Sequence, residues 1–130
     1  AVRPLADMRE APDRETGVYD FSEDNGLHIR QLRLSAECVH YRNDRGWVLL
    51  PFRRGQVLST AYPGWPEVPA LVSAGWIHPE LLRIRCHAVG NAPCGFDLLL
   101  SFAGNRVTVQ SRCSSDPVTA GYDGVASGEA

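Results

Sequence analysis

The sequence predicts an all-β protein, an antiparallel up-and-down, lipocalin-like barrel of eight or nine strands; a β-sandwich is the alternative. Three observations carry that prediction. From Gly17 onward, short runs of apolar residues alternate with polar ones, the period-2 signature of half-buried strands. Turn residues break these runs about every ten positions, a spacing typical of sandwiches and barrels. No stretch keeps a helical period for three turns. Sequential antiparallel strands leave two edges unpaired unless the sheet closes on itself, which favours a barrel.

Residues 1–16 hold Pro4 and Pro12 among mixed charges without an apolar period, and read as a linker or surface arm. The barrel domain spans 17–113, with strands expected near 17–22, 27–34, 37–42, 46–52, 56–61, 69–77, 81–89, 95–103 and 106–112. Leu27 and Ile29 change parity to Leu32 and Leu34, which predicts a β-bulge near Arg30-Gln31. Asn43-Asp44-Arg45-Gly46 makes a hairpin turn into Trp47-Val48-Leu49-Leu50. Both faces of that second strand are apolar, so its parity stays open. Val72, Ala74 and Trp76 alternate before His78-Pro79-Glu80, and Leu82, Ile84 and Cys86 alternate after it. A three-residue loop sets Trp76 opposite Leu82 and turns Arg83, Arg85 and His87 toward water. The clearest hairpin joins Phe96, Leu98, Leu100 and Phe102 through Gly104-Asn105 to Val107 and Val109. Glycine takes the positive φ that tight hairpin turns require, and the turn and the alternation agree on one register. Residues 114–130, rich in Ser, Gly and Ala, read as a C-terminal tail packed on the surface.

A chain of 130 residues is one domain with room for one core. A net charge of −2 and a pI near 6.1 give no electrostatic reason to expect nucleic acid. No apolar run approaches the roughly 20 residues a membrane helix needs, so no membrane partner is expected. All 13 basic side chains (Lys+Arg) are arginines. A phosphate-binding loop ending in Lys-Ser/Thr and a Ser-x-x-Lys nucleophile are therefore impossible. The Gly-x-Ser-x-Gly elbow, His-Glu-x-x-His and a Gly-rich dinucleotide loop are also missing. No catalytic residue, metal or cofactor is assigned, and the chain is not expected to be an enzyme. His78-Pro79-Glu80 and Pro93-Cys94 echo a zinc deaminase pattern, but Asp97 stands where the second cysteine belongs. A proline turn and a loop account for both pieces.

Cys38, Cys86, Cys94 and Cys113 show no metal-ligand spacing. The hairpin register places Cys113 opposite Phe96 and diagonal to Cys94, so a Cys94–Cys113 disulfide is conceivable; free thiols are favoured. His28, His40 and His87 fall on outward faces and His78 in a turn. Trp47, Trp76, Phe96 and Phe102 are expected in the barrel interior, where they pack the core or line a pocket for a small apolar ligand. Trp65, held in a loop with Pro63, Pro66 and Pro69, suits a docking anchor because little entropy is lost on contact. It equally suits a cap on one end of the barrel. Arg83 and Arg85 form a face for an anionic partner or for pairing with Asp97 on the adjacent strand.

Two stretches resemble a known family. Thr16-Gly17-Val18-Tyr19-Asp20-Phe21-Ser22-Glu23-Asp24-Asn25-Gly26-Leu27-His28-Ile29 is similar to the opening of the C-terminal domain of some β-lactamase-related (penicillin-binding-protein-like) serine hydrolases. There a Gly-x-Tyr strand leads through an Asn/Gly turn into an alternating strand. The run from Ala74-Gly75-Trp76 through Leu82–Cys86 and Ala92-Pro93-Cys94 to Leu98–Val109 resembles the closing part of that domain. The resemblance covers most of residues 16–112. It implies a non-catalytic accessory barrel whose partner is a catalytic serine hydrolase domain, in cis or in trans, against which it packs or which it gates. Residues 1–16 would then be the connector, and none of the family's catalytic motifs is present to be carried over. The alternative is an independent barrel that binds a small apolar ligand.

Overall fold

Ten strands form one antiparallel sheet, one more than the nine segments read from the alternation, and that alternation shapes its interior. The computed structural model describes residues 4, 5, 7, 16–22, 25–44, 46–63, 65–90, 95–113 and 124–130, with Trp65 and Pro66 described by backbone alone. The strands are β1 (Gly17–Phe21), β2 (Gln31–Leu34), β3 (Cys38–Asn43), β4 (Gly46–Pro51), β5 (Val57–Tyr62), β6 (Trp65–His78), β7 (Leu81–Ala88), β8 (Gly95–Ala103), β9 (Arg106–Cys113) and β10 (Gly124–Glu129). Their order in the sheet is β4-β3-β2-β1-β10-β9-β8-β7-β6-β5. Each strand is thus beside its chain neighbour, with two exceptions. The first and last strands pair with each other, and β4 and β5, consecutive along the chain, are the two edges. Leu50 on β4 and Tyr62 on β5 belong to the same buried cluster as the central strands, so the sheet curls round a single core into a nearly closed, up-and-down barrel. A sandwich is excluded by this one continuous sheet.

The predicted registers recur in the structure. Phe102 faces Val107 and Leu100 faces Val109 across β8 and β9. Gly104 has φ 59°, and Asn105 is not among the positive-φ residues, the pattern of a type II′ turn. Trp76 faces Leu82 and Ala74 faces Ile84. The expected three-residue loop is instead a Pro79-Glu80 turn with a register shift between Trp76 and His78. Every inward residue on β7, Leu82, Ile84 and Cys86, is fully buried. Removing such a side chain from water contributes roughly 1.5–3 kcal/mol each.

Four further expectations are corrected. Residues 124–129, read as part of a surface tail, are β10, inserted between β9 and β1. Its inward residues are Ala126 and Gly128, small because Phe21 fills the space opposite: a Cβ on Gly128 would lie 2.6 Å from that ring. The second expected strand is shorter than 27–34. Residues 25–30 instead form a turn organised by the Asn25 amide, which donates to the Ser22 and Ile29 carbonyls and accepts from the Leu27 and Ile29 N–H groups. The predicted bulge is present at its end, since the Arg30 N–H reaches the Arg42 carbonyl while Gln31 is the register partner of Arg42. Trp65–Pro69 is not a loop but the start of β6, with Trp65 the partner of Tyr62. The ladder to β7 begins only at Ala70, just past both prolines, and the Pro69 carbonyl still accepts the Val89 N–H; a proline's missing N–H is tolerated at such a ladder end. Trp47 is the fourth, described with the site below.

The arm is anchored at three points among its described residues. The Leu5 N–H donates to Ser73 Oγ at 2.7 Å, and the Trp76 N–H donates to Asp7 Oδ1 at 2.9 Å. Asp7 also holds Arg54 Nε at 3.1 Å. β5 pairs with β6 only as far as Ser73, so Asp7 satisfies a backbone donor that β5 leaves free, beside the seam of the barrel.

Candidate functional site

The outer wall carries two distinct surfaces, one over β1–β4 and one over β7–β9. Counting back from the Asn43↔Gly46 pair, Val48 and Leu50 face Tyr41 and Val39, inside, while Trp47 and Leu49 face Arg42 and His40, outside. Trp47 is therefore not an interior residue, and it is 46% exposed. The reason is parity: Val39 and Tyr41 point inward, and a two-residue turn forces their partners inward with them. The Trp47 ring lies 4.4 Å from the His40 ring and 5.2 Å from the Arg33 guanidinium carbon, close enough for a cation–π contact. Arg33 is held from behind by Gln31 Oε1 at 2.9 Å. Leu49 and Val18, 53% and 49% exposed, end the same cross-strand row, Val18-Arg33-His40-Leu49.

This surface borders an edge that is unpaired among the described residues. The Phe52 N–H bonds the Glu37 carbonyl, so residues 48, 50 and 52 aim their backbone groups at β3. Ladder alternation then turns the N–H and C=O of Trp47 and Leu49 toward the open side. Pro51, also on that side, has no N–H, a common way of blunting an edge.

The second surface is polar. Arg83 and Arg85 point outward as expected, and Arg85 Nε meets Asp97 Oδ1 at 2.9 Å. Asp97 is also the register partner of Arg112 on β9, so arginines flank one carboxylate on both sides. A groove of about 280 Å³ is lined by Arg83, Arg112, Gln110, Asp97, Ile77 and Leu99 with Leu98. A second depression of about 300 Å³ lies across the Arg85-Asp97-Arg112 row and reaches His87 and Cys113. Arg112 and Gln110 were missed as site residues, although extending the Gly104-Asn105 hairpin by register places them beside Asp97 and Leu99.

Of the four residues expected inside, Trp76, Phe96 and Phe102 are buried there. Phe102 lies 5.6 Å from Trp76 and 5.7 Å from Tyr19, centroid to centroid, and Phe96 meets Tyr62 edge-on at 6.1 Å. These spacings are those of favourable ring pairs. The side chain of Trp65 lies outside the described residues. So does Cys94, and with it the conceivable Cys94–Cys113 pairing. The histidines are dispersed. His28 is 3.8 Å from Asp44, His40 lies tilted against Trp47, His87 borders the second depression, and His78 Nδ1 accepts the Glu80 N–H. His78-Pro79-Glu80 is placed at the β6–β7 turn, while Pro93-Cys94, the other half of the deaminase-like pattern, lies outside the described residues. Compared with protein-family models, curated proteins and solved structures, the chain has no match.

Proposed function

We propose that this barrel is a non-catalytic accessory domain that acts through its outer wall, packing against or gating a β-lactamase-related serine hydrolase domain. The observation that carries the reading is the Trp47-Leu49 surface: two large apolar side chains exposed side by side, on a strand whose outer backbone edge is unpaired among the described residues. Exposed apolar surface beside free strand edges is what a docking face presents. Trp47 is also preordered between His40 and Arg33, so little side-chain entropy is lost when a partner covers it. The nature of the partner comes from the similarity of residues 16–112 to the C-terminal domain of that hydrolase class. The ring contacts joining Trp76, Phe102 and Tyr19 favour this reading over a carrier of a small apolar ligand, because they occupy the space such a ligand would need.

The test has two parts. The reading frame upstream of this segment is expected to encode a domain with a Ser-x-x-Lys motif, and its absence from the frame and from neighbouring genes overturns the hydrolase assignment. The isolated barrel is expected to turn over neither chromogenic β-lactams nor esters. Hydrolysis that survives repurification overturns the non-catalytic assignment. With the catalytic domain in hand, Trp47→Ala is expected to weaken association at least tenfold by calorimetry while leaving the unfolding midpoint unchanged.

A further inference from the structure

We infer that the groove over β7–β9 is a binding site for an oxyanion carried on a short apolar stem, a phosphate monoester or a carboxylate. This inference does not rest on the accessory-domain reading, which concerns the opposite wall. The groove gathers three arginines, Arg83 and Arg112 in its lining and Arg85 at its border, against one carboxylate, Asp97. Asp97 is already engaged by Arg85 Nε at 2.9 Å. Arg83 and Arg112 form no ion pair and no side-chain hydrogen bond among the described residues, and Arg83 is half-buried. A guanidinium partly withdrawn from water and left without a counter-charge is a ready anion partner, because its fork of donors matches a carboxylate or phosphate in two parallel hydrogen bonds.

Both arginines line the same groove. Arg83 on β7 and Arg112 on β9 flank β8, two strand spacings across and two residues along the ladder from each other, or about 12 Å. Two arginine side chains close that span from opposite sides. Between them, Gln110 adds an amide donor. Gly75, the register partner of Arg83 on β6, contributes no side chain. Ile77, 47% exposed, and the half-buried Leu99 give the groove an apolar wall. This wall is where the stem of the ligand lies. A volume of about 280 Å³ is at the lower limit of small-molecule sites and suits a headgroup with a few carbons.

The experiment titrates the purified protein with hexyl phosphate, hexanoate, inorganic phosphate and neutral hexanol, followed by calorimetry and by amide chemical shifts. Hexyl phosphate, hexanoate or both are expected to bind more tightly than inorganic phosphate, and hexanol is expected not to bind. Whichever of the first two binds more tightly identifies the headgroup. Arg83→Gln and Arg112→Gln, which keep most of the side-chain stem, are each expected to weaken binding about tenfold or more, with an unchanged melting temperature. Arg42→Gln, on the far wall, is expected to leave it unchanged. Affinity is expected to fall as salt rises, as partly exposed charges demand. Absence of binding by both hexyl anions at millimolar concentration overturns the proposal. So does binding that is indifferent to Arg83→Gln and Arg112→Gln, or that Arg42→Gln weakens equally.

Discussion

Replacing Gly128 by alanine tests whether the tenth strand closes the barrel as described. Gly128 pairs with Phe21 across β10 and β1. An added Cβ would stand 2.6 Å from Cδ1 and Cε1 of the Phe21 ring and 2.9 Å from its Cζ. Carbon atoms pack at about 3.5–4.0 Å, so the overlap is on the order of 1 Å against a ring that is itself 8% exposed. Either the ring leaves its place in the core or β10 moves away from β1, a junction with two register pairs among the described residues, Asp20↔Glu129 and Phe21↔Gly128. Overpacking of this kind costs roughly 1–3 kcal/mol. With a urea dependence of about 2 kcal/mol per molar, the unfolding midpoint is expected to fall by about 0.5–1.5 M. Phe21→Leu in the same chain is expected to restore part of that loss, since a smaller side chain vacates the contested space. The assay is urea unfolding of wild type, both single variants and the double variant, read as a double-mutant cycle. An unchanged midpoint for Gly128→Ala, or two strictly additive effects, would refute the reasoning.

Other substitutions probe the remaining joints. Asn25→Ala removes four hydrogen bonds from the β1–β2 turn and is expected to cost about 1–3 kcal/mol, measured by chemical unfolding. Asp7→Ala leaves the Trp76 N–H without its acceptor and Arg54 without its partner. A loss of about 1–2 kcal/mol is expected, with faster hydrogen exchange at the Trp76 amide. Phe102→Ala opens a cavity beside Trp76 and Tyr19 and is expected to cost about 3–5 kcal/mol. Arg85→Ala breaks an ion pair whose side chains are 33% and 39% exposed, and thermal melts are expected to register less than about 1 kcal/mol.

The strands easiest to read are those where two independent signals agree. At β8 and β9, strict alternation and the Gly104-Asn105 turn fix one register, and the structure keeps it through Phe96↔Cys113. The same register carries Arg112 to Asp97, one step nearer the turn than the Phe96↔Cys113 pair, so that side of the polar groove was already implied by the ladder read from sequence. β4 gives only one signal. Trp47, Val48, Leu49 and Leu50 are apolar on both faces, and only the turn at Asn43↔Gly46 decides that Trp47 faces outward. β10 gives none, because its inward positions are Ala126 and Gly128 and its one large apolar residue, Val125, is 54% exposed. Its small residues answer to Phe21, more than a hundred positions away, and no local pattern records that. The contact of Asp7 with Trp76 is likewise invisible to periodicity, since it depends on where β5 stops.

Pairing the first strand with the last has a consequence for how the molecule is made. As the polypeptide leaves the ribosome, β1 emerges early and waits for a neighbour that is translated after all the other strands. Until then both flanks of that gap, β1 and β9, present bare backbone, and the hairpins between them can form but cannot be sealed. Loop closure over so long a separation is slow. The nascent protein therefore passes through two separate sheets, β4-β3-β2-β1 and β9-β8-β7-β6-β5, joined along the chain but by no ladder, before residues 124–129 slide between β1 and β9 and unite them.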